Sequence, residues 1–270
     1  MTTSGSWQAV GKVVTGANHI RANDECQDAI CIHESSPDFV IAAVADGHGS
    51  KACPHSREGA DIAVRAAVKL LSQVLEQDLD KAMYNFMANK DVRIPKQLEM
   101  MWKEDVRAHH QASGRDEEAD DTALFTLYGT TLLAVAAAPG FAFFVKIGDG
   151  DILMMGEEGA AQLLEQEEKV GEDTESLCLD EAWKYVRTQL VQVENSQPLM
   201  FLVSTDGYSN SFTDRAGFMK AGEDFFNLWA EEGPKSIEGS LEDWLRRSSD
   251  AGSGDDISLA LVAQNTSQEA

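Results

Sequence analysis

Cysteine is scarce in this sequence and carries no pattern. Cys26, Cys31, Cys53 and Cys178 are the only four in 270 residues, with no C-x-x-C pair and no zinc spacing. That excludes a disulfide scaffold and a structural zinc site. The four read as small apolar residues in a reducing compartment, with Cys26 and Cys31 on strand-like stretches. Basic residues are also few: 22 Lys and Arg stand against 46 Asp and Glu, a net charge of −24. A surface this acidic repels nucleic acid and anionic membrane. It suits divalent cations or basic partners, although solubility alone accounts for most of the charge. No apolar run is long enough to span a membrane. Leu132 to Val145 is the most apolar stretch, and Pro139-Gly140 break it. The start, M-T-T-S-G-S-W, has neither the basic nor the apolar region of a signal peptide. No internal repeat and no long low-complexity tract is present. The expectation is a cytoplasmic protein whose 43% apolar content builds one core, in a single domain over residues 1–270.

What is present begins with Val40 to Ser50, V-I-A-A-V-A-D-G-H-G-S. The apolar run reads as a buried strand, and its glycine turn carries Asp46 and His48 out of the strand end. Trp7–Thr15 and Ala29–Ile32 read as strands on either side of a loop, Gly16–Asp28, that contains His19 and Arg21. From Ser56 the apolar period changes to three and four residues, predicting a helix to about Leu79, and Pro95–Ala108 predicts a second. Gly129–Ala138 and Phe141–Ile147 form a hairpin across Pro139-Gly140. The strand Ile152–Met155 leads to Ala160–Leu164. Glu165–Glu181 is acidic and irregular and reads as a flap-like insertion. Trp183–Val193 and Pro198–Ser204 are strands, Thr213–Glu231 and Ser240–Arg247 helices, and Ile257–Val262 the last strand.

Asp28, Asp46, Asp149, Asp206 and Asp255 all fall at strand ends, four of them beside glycine. A sheet can gather such ends at one rim, where the carboxylates repel unless cations neutralise them. Oxygen-only ligands point to Mg2+ or Mn2+ in a partly hydrated site. Two such ions can lower the pKa of a water and clamp an in-line displacement at phosphorus. His48 is placed to protonate the leaving oxygen. Arg21 could hold phosphate oxygens, or be an ordinary surface arginine.

The ordered set H-I-R-A-N-D-E-C-Q-D, V-A-D-G-H-G, G-T-T, I-G-D-G, S-T-D-G and G-S-G-D-D-I-S resembles the metal-dependent protein phosphatases of the PP2C family, and it spans residues 10 to 264. The resemblance implies a four-layer α-β-β-α sandwich, two central antiparallel sheets between helix pairs. It implies a Mn2+- or Mg2+-dependent serine/threonine phosphatase of bacterial type that hydrolyses phosphomonoesters with a metal-activated water. Its partner would be a phosphorylated protein, either a serine/threonine kinase or a target of one. Carried over by motif, Asp46 bridges the ions with the Gly47 carbonyl beside it. Asp206 and Asp255 bind one ion, Asp28 acts through water, Asp149 serves a third ion, and His48 is the general acid. The sequence departs from the family at one point. Asn23 stands where the phosphate-binding arginine is usual, so either Arg21 reaches the phosphate or His19 takes the part. Gln27 replaces a glutamate common in eukaryotic members. Two other readings stay open: a pseudophosphatase that binds phosphoproteins without turnover, and a phosphatase of small molecules. A calcium-binding protein is disfavoured, because no D-x-D-x-D-G run occurs.

Overall fold

Strand composition decides which strands are interior. The computed structural model describes residues 6–34, 38–76, 78–114, 120–165, 175–194 and 197–265. Strands β1 (Ser6–Val14), β10 (Ile257–Asn265), β9 (Met200–Ser204), β6 (Asp151–Gly156) and β7 (Gly159–Leu163) form one antiparallel sheet in that order. The second sheet runs β2 (Ala29–His33), β3 (Val40–Ala45), β4 (Leu132–Ala138), β5 (Phe141–Ile147) and β8 (Arg187–Gln192). β3, β4, β5 and β9 are buried along their whole length. Their continuous apolar runs therefore have no solvent face.

One set of alternate residues meets between the sheets: Val40, Val44, Val135 and Phe144 face Trp7, Phe201, Val203 and Val262. The other set of the second sheet, including Ile41, Ala43, Ala134 and Phe143, lies under helices. These are α2 (Ser56–Leu75), α3 (Leu79–Asn89) and α4 (Arg93–Ala112). On the first sheet Leu153, Met155, Leu202 and Leu259 lie under α7 (Arg215–Glu232) and α8 (Pro234–Ala251). The result is the expected layered sandwich, with a third helix added to one side. No helix among the described residues is long and apolar enough to cross a membrane.

A glycine lets the start of α2 pack closely on the turn that precedes β4. A Cβ on Gly59 would lie 2.0 Å from the Tyr128 carbonyl oxygen, and the Gly59 carbonyl accepts a 3.0 Å bond from Trp102 Nε1. Alanine is favoured over glycine in a free helix by about 1 kcal/mol. Here the backbone contact outweighs that gain. Gly59→Ala should destabilise the protein by about 1–3 kcal/mol in urea unfolding; unchanged or higher stability would mean that the helix is free to shift.

Several boundaries differ from expectation. The 16–28 loop contains a short helix, α1 (Ala17–Ala22), closed by Asn23 at φ 59°. Six residues are too few for a periodic signal; the turn is held from outside, by Ala17 N–H to Ser249 Oγ and Asn18 N–H to the Gly254 carbonyl. The first long helix stops at Leu75, and Asp78 caps α3 through Asp80 and Lys81 N–H. Ser240 does not start a helix: it lies inside α8, which begins at Pro234. Trp183 sits in a 3-10 turn, so its strand starts only at Arg187. A short helix, α5 (Asp121–Thr126), also went unexpected. Of the flap-like segment at 165–181, residues 166–174 lie outside the described residues. The remainder is tied into the fold, with Leu177 N–H on the Thr130 carbonyl at 3.0 Å and Glu175 paired with Arg187 at 2.6 Å.

Candidate metal centre

Antiparallel pairing brings the aspartates to one rim. Ala29 pairs with Ala45, so Asp28 precedes β2 where Asp46 follows β3. Leu132 pairs with Ile147, which places Asp149 at the same end of that sheet. In the other sheet Leu259 pairs with Ser204, setting Asp255 beside Asp206. Asp206 opens a one-turn helix, α6 (Asp206–Ser209). Two turns depend on glycine. A Cβ on Gly47 would come within 2.7 Å of the Ser56 carbonyl, and Gly148 takes φ 103°.

These ends enclose a pocket of about 330 Å³. Asp46, Asp149, Asp206 and Asp255 line it with Gly47 and His48, and His19, Gln27, Gly49 and Thr131 complete the wall. Burial pushes the Asp46 carboxyl well above its usual range, and Asp28, Asp206, Asp255 and Asp149 push it further. Asp206 is raised to about 6, by burial first and then by Asp149 and Asp255. Four carboxylates thus crowd one space. In this arrangement a proton does what a cation would do. Burial lowers the His48 imidazole, opposed by Asp149.

Asp28 does not line this pocket. It is buried behind Asp46, with Oδ2 accepting a 2.7 Å bond from Thr205 Oγ1 and Oδ1 without a hydrogen-bond partner among the described residues. Burial raises its carboxyl, while the Thr205 hydroxyl opposes the rise. Arg21 is not brought to the pocket either; it is exposed on α1, and Nη2 donates to Asn18 Oδ1 at 2.6 Å. His19, on the opposite side of that turn, does line it.

Sequence reasoning passed over Asp256 in favour of Asp255. Asp256 is 3% exposed and organises the wall. It accepts Gly16 N–H at 2.6 Å and Gln27 N–H at 2.7 Å, and His19 Nδ1 stands 2.9 Å from its Oδ1. The doubled acid was the visible signal, but which of the pair faces inward depends on the turn. The G-T-T motif also has a definite role. Thr130 Oγ1 donates to the Asp46 carbonyl at 2.8 Å, and Thr131 Oγ1 accepts Asp46 N–H at 3.0 Å, fixing that residue from both sides.

The donor set suits a hard divalent cation: carboxylate oxygens, a loop backbone and no sulfur. Among the described residues no three His, Cys, Asp or Glu side chains close on one point as direct ligands of a single ion would. The carboxylates ring a space instead, which fits an ion that keeps several of its waters.

The family model for protein phosphatase 2C matches residues 15–246. The chain belongs to the protein phosphatase 2C family. No curated protein matches it in sequence. Several solved structures share its fold. The serine/threonine phosphatase PstP/Ppp of Mycobacterium tuberculosis is 14% identical at a TM-score of 0.57, covering 95% of this chain and 98% of that one. A bacterial serine phosphatase is 14% identical at 0.62, covering 97% and 99%. RsbX, solved with magnesium, is 14% identical at 0.53, covering 96% of each chain. The catalytic domain of PstP, at 13% identity and 0.55 over 96% and 98%, was solved with two manganese ions. The family match ends before Asp255, so in this protein phosphatase 2C the position of that residue rests on the β9–β10 pairing.

Proposed function

We propose that this protein phosphatase 2C is a serine/threonine phosphoprotein phosphatase that works with two Mn2+ or Mg2+ ions in the Asp46 pocket. The observation that carries the reading is the crowding of Asp46, Asp149, Asp206 and Asp255 at one rim, with Asp46 and Asp206 pushed towards the protonated state. Asp46, Asp206 and Asp255 would hold the ions with the Gly47 carbonyl, Asp149 would serve a further ion, and Asp28 would act from behind through water. When bound, the ions supply the positive charge that makes water nucleophilic and offsets the charge of the phosphate. The chain's own residues do the rest. Thr130 and Thr131 hold Asp46 in place, His19 is positioned by Asp256 to donate to a phosphate oxygen, and His48 donates a proton to the leaving oxygen. The partner would be a phosphorylated protein of a kinase pathway in the cytoplasm.

The deciding experiment is p-nitrophenyl phosphate hydrolysis with EDTA, Mg2+ or Mn2+. Metal-dependent activity supports the reading. Its absence from folded, metal-supplemented protein would favour a phosphoprotein-binding pseudophosphatase. Selectivity for phosphopeptides over small phosphate esters then tests the substrate class.

Two variants probe the roles. His48→Gln should slow phosphopeptide hydrolysis by about 10²-fold and p-nitrophenyl phosphate far less, because an aryl leaving group needs little protonation. Equal slowing of both would remove His48 as the acid. A hydrogen bond to a charged group is worth about 1.5–3 kcal/mol, so His19→Ala should raise KM by at least about tenfold. Arg21→Ala should leave KM nearly unchanged, and the reverse pattern would restore Arg21 as the phosphate ligand.

A further inference from the structure

Two thiols meet beside the catalytic turn. The point that a Cβ on Gly129 would occupy lies 2.7 Å from His48 Cδ2, 3.0 Å from Cys53 Sγ and 3.3 Å from Cys178 Sγ. Both sulfurs and the His48 ring thus border the space of one missing methyl group. Both are free thiols. Cys53 belongs to the turn that leads from the D-G-H-G segment into α2, where its N–H donates to the Ser50 carbonyl and its own carbonyl accepts Ser56 N–H. Cys178 belongs to a different segment, pinned to Thr130 through Leu177 N–H and the Ser176 hydroxyl. Thr130 in turn holds Asp46. A bond between the sulfurs would therefore tie the turn that follows His48 to the segment that holds Thr130, and through Thr130 to Asp46.

The two sites differ in access. Cys53 is 7% exposed and Cys178 is half-buried, with Ser176 Oγ 3.2 Å from its sulfur. Burial raises the Cys178 thiol, while the Ser176 hydroxyl opposes the rise. Burial and then Asp256 and Asp28 push the Cys26 thiol up to about 12, and burial also raises Cys31.

We propose that Cys53 and Cys178 form an oxidation site, a dithiol pair that hydrogen peroxide converts into an intramolecular disulfide. The Cys178 thiolate attacks one peroxide oxygen, the O–O bond breaks, and hydroxide leaves as water after taking up a proton. The resulting sulfenic acid is attacked by the Cys53 thiolate, the S–S bond forms, and the second water departs. Two thiols are oxidised and one peroxide is reduced to two waters. The sulfurs must close to about 2.05 Å, which draws the Cys53 turn and the Cys178 segment together against the His48 ring. In a reducing compartment such a bond is transient, which suits a sensor. The site stands on the sulfur geometry; only its effect on turnover rests on the function proposed above.

The test treats the full chain with hydrogen peroxide in Mg2+ buffer, blocks the remaining thiols by alkylation and maps the non-reduced peptides by mass spectrometry. The expected result is a Cys53–Cys178 cross-link that dithiothreitol reverses, with most phosphatase activity lost and regained in step. Cys178→Ser should abolish the cross-link and keep activity through peroxide treatment, and Cys53→Ala should do the same. Both thiols recovered alkylated, sulfinic acid in place of a cross-link, or a bond involving Cys26, Cys31 or a second chain would overturn the proposal. Peroxide inactivation that persists in both variants would overturn its effect on activity. The peptide map needs no turnover, so it decides the site even if the chain proves inactive.

Discussion

Asp46→Asn should lower turnover by about 10³-fold while raising the melting temperature of the metal-free protein. Both effects come from one carboxylate. Asp46 is buried and repelled by Asp28, Asp206, Asp255 and Asp149, so its charge costs the fold free energy when no cation is present. Asparagine keeps the shape and the backbone bonds to Thr130 and Thr131 but removes the repulsion. Each kcal/mol relieved is worth about 2–4 °C in a chain of this size. The catalytic loss follows from the same change. A bound cation contributes several kcal/mol of transition-state charge stabilisation, and about 4 kcal/mol corresponds to about 10³ in rate. Parallel melts and p-nitrophenyl phosphate assays check the pair of outcomes. A variant that is both less active and less stable would show that Asp46 serves the fold rather than the ion. Sites that trade stability for activity behave in the expected way.

Divalent cations should stabilise the protein strongly at pH 7.5 and weakly at pH 5. In the folded, metal-free protein Asp206 titrates at about 6, against 3.8 for an unperturbed aspartate, so between these values the folded state holds a proton that the unfolded chain has released. The stability contributed by that proton is present below pH 3.8 and is lost as the pH rises through about 6. Asp28 and Asp46 are shifted in the same direction, which reinforces the trend. The metal-free protein is therefore least stable near neutral pH, where the carboxylates are charged and an ion binds best. At a concentration 100 times Kd, binding adds about 2.7 kcal/mol, or roughly 5–10 °C in Tm. At pH 5 protons compete for the same oxygens and the gain shrinks. Thermal melts with Mg2+, Mn2+ and EDTA at the two pH values measure it. An equal shift at both, or a larger one at pH 5, would place the ion away from these carboxylates.

The sequence by itself marked the buried strands and the acid-glycine turns at their ends, while the layered sandwich was implied by the resemblance to the family. Unbroken apolar runs such as Val40–Ala45 and Leu132–Ala138 have only one way to hide both faces, and acid-glycine turns at their ends put oxygen donors where backbone curvature needs glycine. The six motifs in order also carried the family. Short elements were not legible. α1 and α5 are six residues each, and α1 is held by partners from α8 and the turn before β10, more than two hundred positions away in sequence. Only the tertiary structure decided which side chains face the pocket. Arg21 and His19 lie two residues apart, and a helical turn sends one to solvent and the other to the wall. Asp255 and Asp256 are adjacent, and the turn before β10 aims the first at the pocket and buries the second as the anchor of Gly16 and Gln27. Asp28 lies opposite Asp46 at the same strand end, yet it is buried with its carboxyl turned to the Thr205 hydroxyl and does not line the pocket. The types of residues at a site are written locally. Their directions depend on contacts between segments far apart in the chain, and no local pattern records those contacts.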